Sequence, residues 1–114
     1  MRLEHYPEEK LKREILEIVD KYLDLKKYKV FIFGSRVSGS GDDRSDIDIG
    51  IEGSKIIPNE IKYRIKDEIE TIPVLYKFDV IDFTAADENF KKVAKQHIEI
   101  INPSILKKKR KKYG

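Results

Sequence analysis

A small fold of the α/β (α+β) class, with a mixed sheet of about four strands and helices packed on one face, is predicted by three features of the sequence. First, segments with helical and strand periodicity follow one another as helix, strand, turn with a short helix, strand, helix, strand, helix, strand. Second, 114 residues suffice for one hydrophobic core but leave no room for a second. Third, no repeat or interior linker divides the chain, so one domain is expected over residues 1–106.

Three segments show the helical period. The segments over residues 8–24 and 58–70 repeat apolar side chains at intervals of three and four, as helices with one buried face do. A third helix is predicted after Thr84 and Asp87, whose spacing resembles a capping box, and it should extend to about residue 95.

Four segments have the composition of strands. Residues 28–33 form a short β-branched and aromatic run that stops at Gly34, as a buried strand does. The run DIDIGIE, residues 46–52, alternates strictly, and its isoleucine face must be the buried one. Further strands are predicted over residues 74–83 and 97–101.

The formal net charge of +3 is unevenly distributed. Residues 107–112, KKKRKK, hold six of the 24 basic residues, so the rest of the chain has 18 basic against 21 acidic residues, a balance of −3. A terminal run of like charge is typical of a solvated, disordered end, and it also suits steering towards nucleic acid or a protein. No aromatic residues alternate with these lysines, so we interpret residues 107–114 as a basic, disordered tail and favour nucleic-acid contact less.

The chain has no cysteine, which excludes disulfides, thiolate metal sites and a cysteine nucleophile. No apolar run approaches the roughly 20 residues that a membrane span needs, and the charged segment MRLEHYPEEKLKRE is unlike a signal peptide. A cytoplasmic protein without membrane contact is therefore expected.

Two aspartates on one predicted strand indicate a cation site. Asp46 and Asp48 lie two residues apart, so their side chains leave the same face with Cα atoms about 7 Å apart. Two such charges repel each other unless a cation lies between them, and magnesium prefers carboxylate oxygen. An exposed sheet face can also carry a lone pair of acids, so this pattern alone does not decide the question.

The Gly-Ser turn before these acids supplies the second half of the argument. Gly34 ends a buried strand directly before a predicted short helix, and a turn made with Ser35 can aim N–H groups and a hydroxyl at a phosphate. Phosphate donors beside a magnesium-binding pair describe a nucleoside triphosphate site.

Other sites that use these residue types do not fit. GSRVSGSG has no lysine where a P-loop needs one, and a calcium loop starting at Asp46 has Gly50 where its third acid belongs. Ser35 lacks the GxSxG pattern of a hydrolase nucleophile. His5 and His97 have no partner pattern and are assigned to the surface or to packing.

The stretch FGSR followed by SDIDI resembles the signature of the polymerase-beta-like nucleotidyltransferases, and specifically their minimal nucleotidyltransferase branch. Ten residues separate Ser35 from Asp46, as that pattern requires, and the likeness extends from about Lys29 to Asp82. The resemblance implies the small nucleotidyltransferase fold, a nucleotidyltransferase activity and a third carboxylate on a later strand. In KFDVIDF the candidates are Asp79 and Asp82, which point to opposite faces. The resemblance favours Asp79.

The resemblance also implies a role for each site residue. Metal-binding and catalytic residues would be Asp46, Asp48 and Asp79, which would hold two magnesium ions. Nucleotide-binding residues would be Gly34, Ser35, Arg36 and Ser45. For Arg36 a surface salt bridge is an open alternative.

Minimal nucleotidyltransferases resemble the antitoxin half of two-gene toxin–antitoxin systems, whose other half is an all-helical HEPN toxin. The resemblance implies ATP as donor, such a toxin as partner and AMPylation of a hydroxyl, favouring tyrosine. Two alternatives stay open. One is a non-catalytic antitoxin that neutralises its partner by binding, and the other is a nucleic-acid-directed nucleotidyltransferase or metal nuclease that uses the basic tail.

Overall fold

The computed structural model describes residues 6–34, 46–74 and 76–102. Its elements are the helices α1 (Glu8–Asp20), α2 (Asn59–Ile69) and α3 (Glu88–Ala94) and the strands β1 (Tyr28–Phe33), β2 (Ile47–Gly53), β3 (Phe78–Asp82) and β4 (Ile98–Ile100). One sheet has the strand order β3-β2-β1-β4, with β2 and β3 parallel and the other neighbours antiparallel. The predicted α+β class with a mixed four-stranded sheet is therefore confirmed. In the described segments no helix is long and apolar enough to cross a membrane.

Helix α1 is shorter than its apolar pattern predicts. It ends at Asp20, four residues before the predicted end, because Asp24 forms a turn that leads the chain into β1. The Asp24 side chain accepts a hydrogen bond from the Lys26 amide at 2.9 Å, and the Asp24 carbonyl accepts from the amides of Lys27 and Tyr28. Local side-chain bonding of this kind competes with helix continuation.

Strand β3 is also shorter than the predicted run over residues 74–83. Its ladder begins where the Ile47 amide donates to the Lys77 carbonyl at 2.9 Å, and Ile47 then pairs with Phe78. Residues before Lys77 have no β2 residue opposite them, so they cannot extend the sheet. The start of β3 is therefore set by where its neighbour β2 begins, and the apolar pattern of β3 alone does not reveal this.

The capping box predicted at Thr84 is wrong. Asp87 is the N-cap of α3, and its side chain accepts a hydrogen bond from the Phe90 amide at 3.3 Å. The Thr84 hydroxyl instead accepts from the Gly53 amide at 2.8 Å and thereby connects the ends of β2 and β3. The helix still begins and ends close to the predicted positions.

The main core lies between the sheet and the helices α1 and α2. The isoleucine face of β2 is fully buried there, as predicted, and residues from β1 and β3 continue it; these strand residues are Val30, Ile32, Ile47, Ile49, Ile51, Phe78 and Val80. The helices contribute Leu11, Ile15, Leu16, Val19, Ile65 and Ile69.

A second, smaller apolar cluster covers part of the opposite face. It consists of Phe31, Phe33 and Phe83, with the ring of Phe90 from α3 packed at 5.4 Å from Phe83 and 6.3 Å from Phe33. The expectation of helices on one face therefore describes α1 and α2, whereas α3 contacts the other face. Along β1, Val30 and Ile32 point to one face, whereas Phe31 and Phe33 point to the other. Both faces of this strand must therefore be covered by apolar side chains.

Candidate functional site

Gly34 lies where β1 ends, directly beside a carboxylate of the neighbouring strand. Its φ is +89°, which L side chains rarely adopt, and a Cβ atom at this position would overlap the Asp48 carboxylate. Phe33, the residue before it, pairs with Asp48 across the antiparallel ladder. The structure therefore brings together the turn and the acid that the sequence analysis assigned to the phosphates and to the metal.

Asp48 and Asp79 are register partners on the parallel strands β2 and β3. Their neighbours Ile49 and Val80, which also pair, are buried in the main core, so both carboxylates point to the opposite face. Asp46 precedes β2 by one residue and is exposed. The three predicted metal-binding acids thus lie together where β2 and β3 begin, on one face of the sheet.

The negative charges of these three side chains repel one another and are not balanced by a neighbouring cation in the described segments. Burial, together with the smaller effects of the charges on Asp79 and Asp46, raises the pKa of Asp48 to about 6. Within the segments 6–34, 46–74 and 76–102, no lysine or arginine forms an ion pair with any of the three. A divalent cation would relieve this repulsion, and all the donors are the carboxylate oxygens that magnesium prefers.

The described residues contain no preformed group of three or more side chains that could hold a metal ion. The donor type, the shared face and the raised pKa of Asp48 fit a divalent cation, and convergence of the three side chains on one ion would follow from binding it.

Asp82, the rejected candidate for the third carboxylate, has a different environment from Asp79. It is 8% exposed, and its two oxygens accept hydrogen bonds from the amides of Ile57 at 2.8 Å and Thr84 at 2.9 Å. Asp79 is exposed and lies beside Asp48. The structure therefore ties Asp82 to the backbone and leaves Asp79 open to a ligand.

Replacement of Asp82 by alanine should destabilise the protein, because one buried amide and one partly buried amide would lose their acceptors. We expect a loss of about 2 kcal/mol or more in the free energy of unfolding, and a fall in Tm of roughly 10 °C. Asp79→Ala is the matched control, since it removes the same charge from the same strand, and its Tm should stay within about 2 °C of the wild type. Thermal unfolding measures both values. Equal destabilisation by the two variants would show that Asp79 also has a structural role.

Several predicted features lie outside the described residues. These are the site residues Ser35, Arg36 and Ser45, the short helix after Gly34, His5 and the basic tail over residues 107–114. Of the predicted site, the structure therefore locates Gly34 and the three aspartates. His97 is exposed between α3 and β4, in keeping with its assignment to the surface.

A cleft next to Asp79 was not found from the sequence. It has a volume of about 430 Å³, and its lining includes Ile56 and Lys62 from the region of α2, Asp79 and Ile81 from β3, and Phe90 from α3. These residues come from three separate segments of the chain, so no single motif could have indicated the cleft. Phe90, a large apolar residue in the mostly charged helix α3, is the kind of local signal that the sequence offered.

Comparisons with known proteins agree on the kind of protein that carries this site. The probable protein adenylyltransferase MntA of Haemophilus influenzae is 27% identical over 93 residues, which are 80% of this chain and 82% of that protein. A crystal structure of a toxin–antitoxin complex with AMP-PNP contains a similar chain, with a TM-score of 0.66 and 17% identity over 79% of this chain and 71% of that one. A structure of the tri-AMPylated HEPN toxin of Shewanella oneidensis in complex with the MNT antitoxin gives a TM-score of 0.62 and 14% identity, over 80% and 68% of the two chains.

The two structural likenesses are below 25% identity and show a shared fold. The family is shown by the sequence itself, because residues 13–105, most of the chain, match the family described as Polymerase beta, Nucleotidyltransferase. That range includes the Gly-Ser turn and all three acids of the site. With the fold, the turn and the acids in agreement, this chain belongs to the polymerase beta nucleotidyltransferase family.

Proposed function

We propose that this protein transfers AMP from ATP to a hydroxyl group, in the favoured case a tyrosine, of a partner HEPN-type toxin and so acts as its antitoxin. The observation that carries the proposal is the contact of the Gly34 turn with Asp48, which in turn pairs with Asp79 on one face of the sheet. Two comparisons support the choice of acceptor. The similar protein from Haemophilus influenzae is named a probable protein adenylyltransferase, and a structurally similar chain belongs to a complex of an MNT antitoxin with an AMPylated HEPN toxin.

Proteins of this family generally use a divalent metal. We propose that Asp46, Asp48 and Asp79 hold two magnesium ions, and the carboxylate donors and the raised pKa of Asp48 support this assignment. When bound, the ions would neutralise the triphosphate and make the acceptor hydroxyl more acidic.

The residues of the chain have separate tasks in this proposal. A Cβ atom at position 34 would overlap the Asp48 carboxylate, so only glycine allows the backbone to turn here. In this proposal the backbone of that turn binds the β- and γ-phosphates. Ser35, Arg36 and Ser45 are assigned to nucleotide binding from the sequence motif. Asp79, exposed at the side of the site away from β1, accepts the proton of the hydroxyl.

The reaction is an in-line displacement. The acceptor oxygen forms a bond to the α-phosphorus, the bond from that phosphorus to the bridging oxygen of the β-phosphate breaks, and pyrophosphate leaves with the electron pair. The products are an AMPylated hydroxyl and pyrophosphate. On a toxin that binds RNA, each AMP adds a negative phosphate and a bulky base, which oppose RNA docking by charge and by size.

A direct test uses a HEPN-type toxin as the acceptor, and the product of a gene adjacent to that of this protein is the first candidate to examine. Mixed with this protein, ATP and magnesium, it should gain mass in whole AMP units, with the adduct on a tyrosine or another hydroxyl. Binding and silencing of the partner without any mass change would instead favour the non-catalytic antitoxin. Salt-sensitive binding to RNA that disappears on deletion of residues 107–114 would favour a nucleic-acid-directed enzyme.

A further inference from the structure

The cleft beside Asp79 is open to a macromolecule on the solvent side of β3. Its volume of about 430 Å³ lies along the edge of the sheet, where β3 has no neighbouring strand among the described residues. Ile56, Lys62, Asp79, Ile81 and Phe90 are among the residues that line it. One of the three site acids, Asp79, is therefore also part of the wall of the cleft.

The strand order places this cleft opposite the phosphate-binding turn. Gly34 ends β1, Asp48 lies on the central strand β2, and Asp79 lies on the edge strand β3. With neighbouring strands about 4.8 Å apart, the turn and the cleft are on opposite sides of the acids. An in-line displacement requires the attacking oxygen to face the leaving pyrophosphate across the α-phosphorus. If the triphosphate binds at Gly34, the acceptor must approach from the side of Asp79.

The lining of the cleft indicates which side chains would fit there. Ile56 is 65% exposed and Phe90 is 40% exposed, so both offer apolar surface in the lining of the cleft. Lys62 forms no ion pair with a carboxylate in the segments that the structure describes, and its ammonium group lies 5.8 Å from the centre of the Tyr63 ring. Ile56 and Phe90 suit an aromatic or aliphatic side chain of a partner, and Lys62 suits an acidic one, whereas the Asp79 carboxylate, which also lines the cleft, is the group assigned to the acceptor hydroxyl.

We propose that this cleft binds the segment of the partner toxin that carries the acceptor hydroxyl. The segment places the hydroxyl next to Asp79, an apolar or aromatic side chain between Ile56 and Phe90, and an acidic side chain against Lys62. This assignment rests on the proposed AMP transfer and adds to it the recognition of the acceptor.

Charge-reversing and charge-adding variants at the exposed edge of the cleft test the proposal. Lys62→Glu and Ile56→Glu should each raise the KM for the partner protein of the neighbouring gene at least about tenfold, with kcat changed by less than about threefold. Lys62→Arg should restore a KM close to the wild-type value. Titration calorimetry with ATP and magnesium should give a wild-type affinity for all of them, because neither Lys62 nor Ile56 is among the residues assigned to the nucleotide or the metal.

Matched controls lie outside the cleft on the same two helical regions. Arg64→Glu reverses a charge at a side chain that is 59% exposed on α2, and Val93→Glu adds a charge at a position that is 66% exposed on α3. Both should leave KM, kcat and ATP affinity unchanged. Thermal unfolding of all the variants should stay close to the wild type, because none of the substituted side chains is buried.

Two results would overturn the assignment of the cleft. A weaker affinity for ATP in the cleft variants would show that the cleft holds the nucleotide, and equal KM values for cleft and control variants would place the acceptor elsewhere. Failure of the proposed function itself is a separate result, since it would appear as absence of transfer by the wild type. In that case the affinity of the partner for each variant is measured without ATP, which shows whether the cleft is part of the protein–protein interface. Equal affinities for the cleft variants and the control variants would again reject the assignment of the cleft.

Discussion

Replacement of both Asp46 and Asp48 by asparagine should abolish magnesium-dependent ATP binding and AMP transfer without lowering the Tm. Asparagine keeps the shape of each side chain but removes the two negative charges that would hold the cation. Both residues lie outside the main core, and Asp48 is destabilised by its own burial and by two neighbouring charges. We therefore expect titration calorimetry with ATP and magnesium to show no detectable binding by this variant.

The pH dependence of stability gives this variant a second readout. The folded-state pKa of Asp48 is raised from 3.8 to about 6, so the folded protein binds this proton more tightly than the unfolded chain does. In the absence of metal, this carboxyl therefore stabilises the wild type as the pH falls from above 6 towards 4, and the contribution is lost as the pH rises through about 6. The double variant should lack this change and should be at least as stable as the wild type at pH 8.

The matched control is a second pair of exposed aspartates, Asp20 and Asp67, each replaced by asparagine. It removes the same two charges from the surfaces of α1 and α2 and should leave ATP binding and transfer unchanged. Unfolding of the Asp46 and Asp48 variant at neutral pH, or wild-type ATP binding by it, would contradict the assignment of these acids to a metal site.

Replacement of Asp79 by asparagine should reduce AMP transfer by about 10²- to 10⁴-fold, because the proton acceptor of the reaction would be removed. Binding of ATP with magnesium should remain largely intact, since Asp46 and Asp48 are unchanged and the triphosphate contacts lie at Gly34. Initial rates of transfer and titration calorimetry separate the two effects.

Asp82→Asn is the control for this variant on the same strand. It should retain substantial transfer activity, while its Tm falls because an amide group replaces one of the two oxygens that accept backbone hydrogen bonds. The opposite pattern, with activity lost in Asp82→Asn and kept in Asp79→Asn, would show that the faces of β3 have been assigned wrongly.

The ends of β1 and β2 were predicted to within one residue, whereas the start of β3 and the end of α1 were each missed by four residues. β1 was predicted over residues 28–33 and observed there, because the apolar run ends abruptly at a glycine that must adopt a positive φ. The end of α1 could not be predicted in the same way, since Tyr22 and Leu23 continue its apolar pattern while Asp24 already forms the turn. The apolar pattern favours a longer helix and the Asp24 turn favours a shorter one, and the turn prevails because it leads the chain into β1.

The position of α3 on the second face was also hidden in the sequence. The alternation of apolar residues in YKVFIF shows that both faces of β1 are covered, but it does not indicate which element covers the phenylalanines. That role belongs to Phe90 and to Phe83, which are 50 or more residues away in the chain. The face on which a helix packs depends on such distant contacts, which periodicity does not encode.

The local part of the candidate site followed from two short motifs. Alternation put Asp79 and Asp82 on opposite faces, and the family resemblance favoured Asp79. The structure places Asp79 beside Asp48 and binds the Asp82 carboxylate to two backbone amides. The cleft could not be predicted, because Ile56, Lys62 and Phe90 carry no shared pattern and meet only in the folded protein. The metal and nucleotide roles of the individual residues stay predictions until the variants are measured.

Intact-mass spectrometry of the partner protein tests the central claim most directly. The candidate HEPN-type toxin is incubated with this protein, ATP and magnesium, and parallel samples omit ATP, omit magnesium or contain the Asp79→Asn variant. The account predicts a gain of one or more whole AMP units in the complete mixture alone, with the adduct on a tyrosine or another hydroxyl. A partner whose mass never changes, although the wild-type protein binds and silences it, would contradict the claim that this protein is an AMP-transferring enzyme.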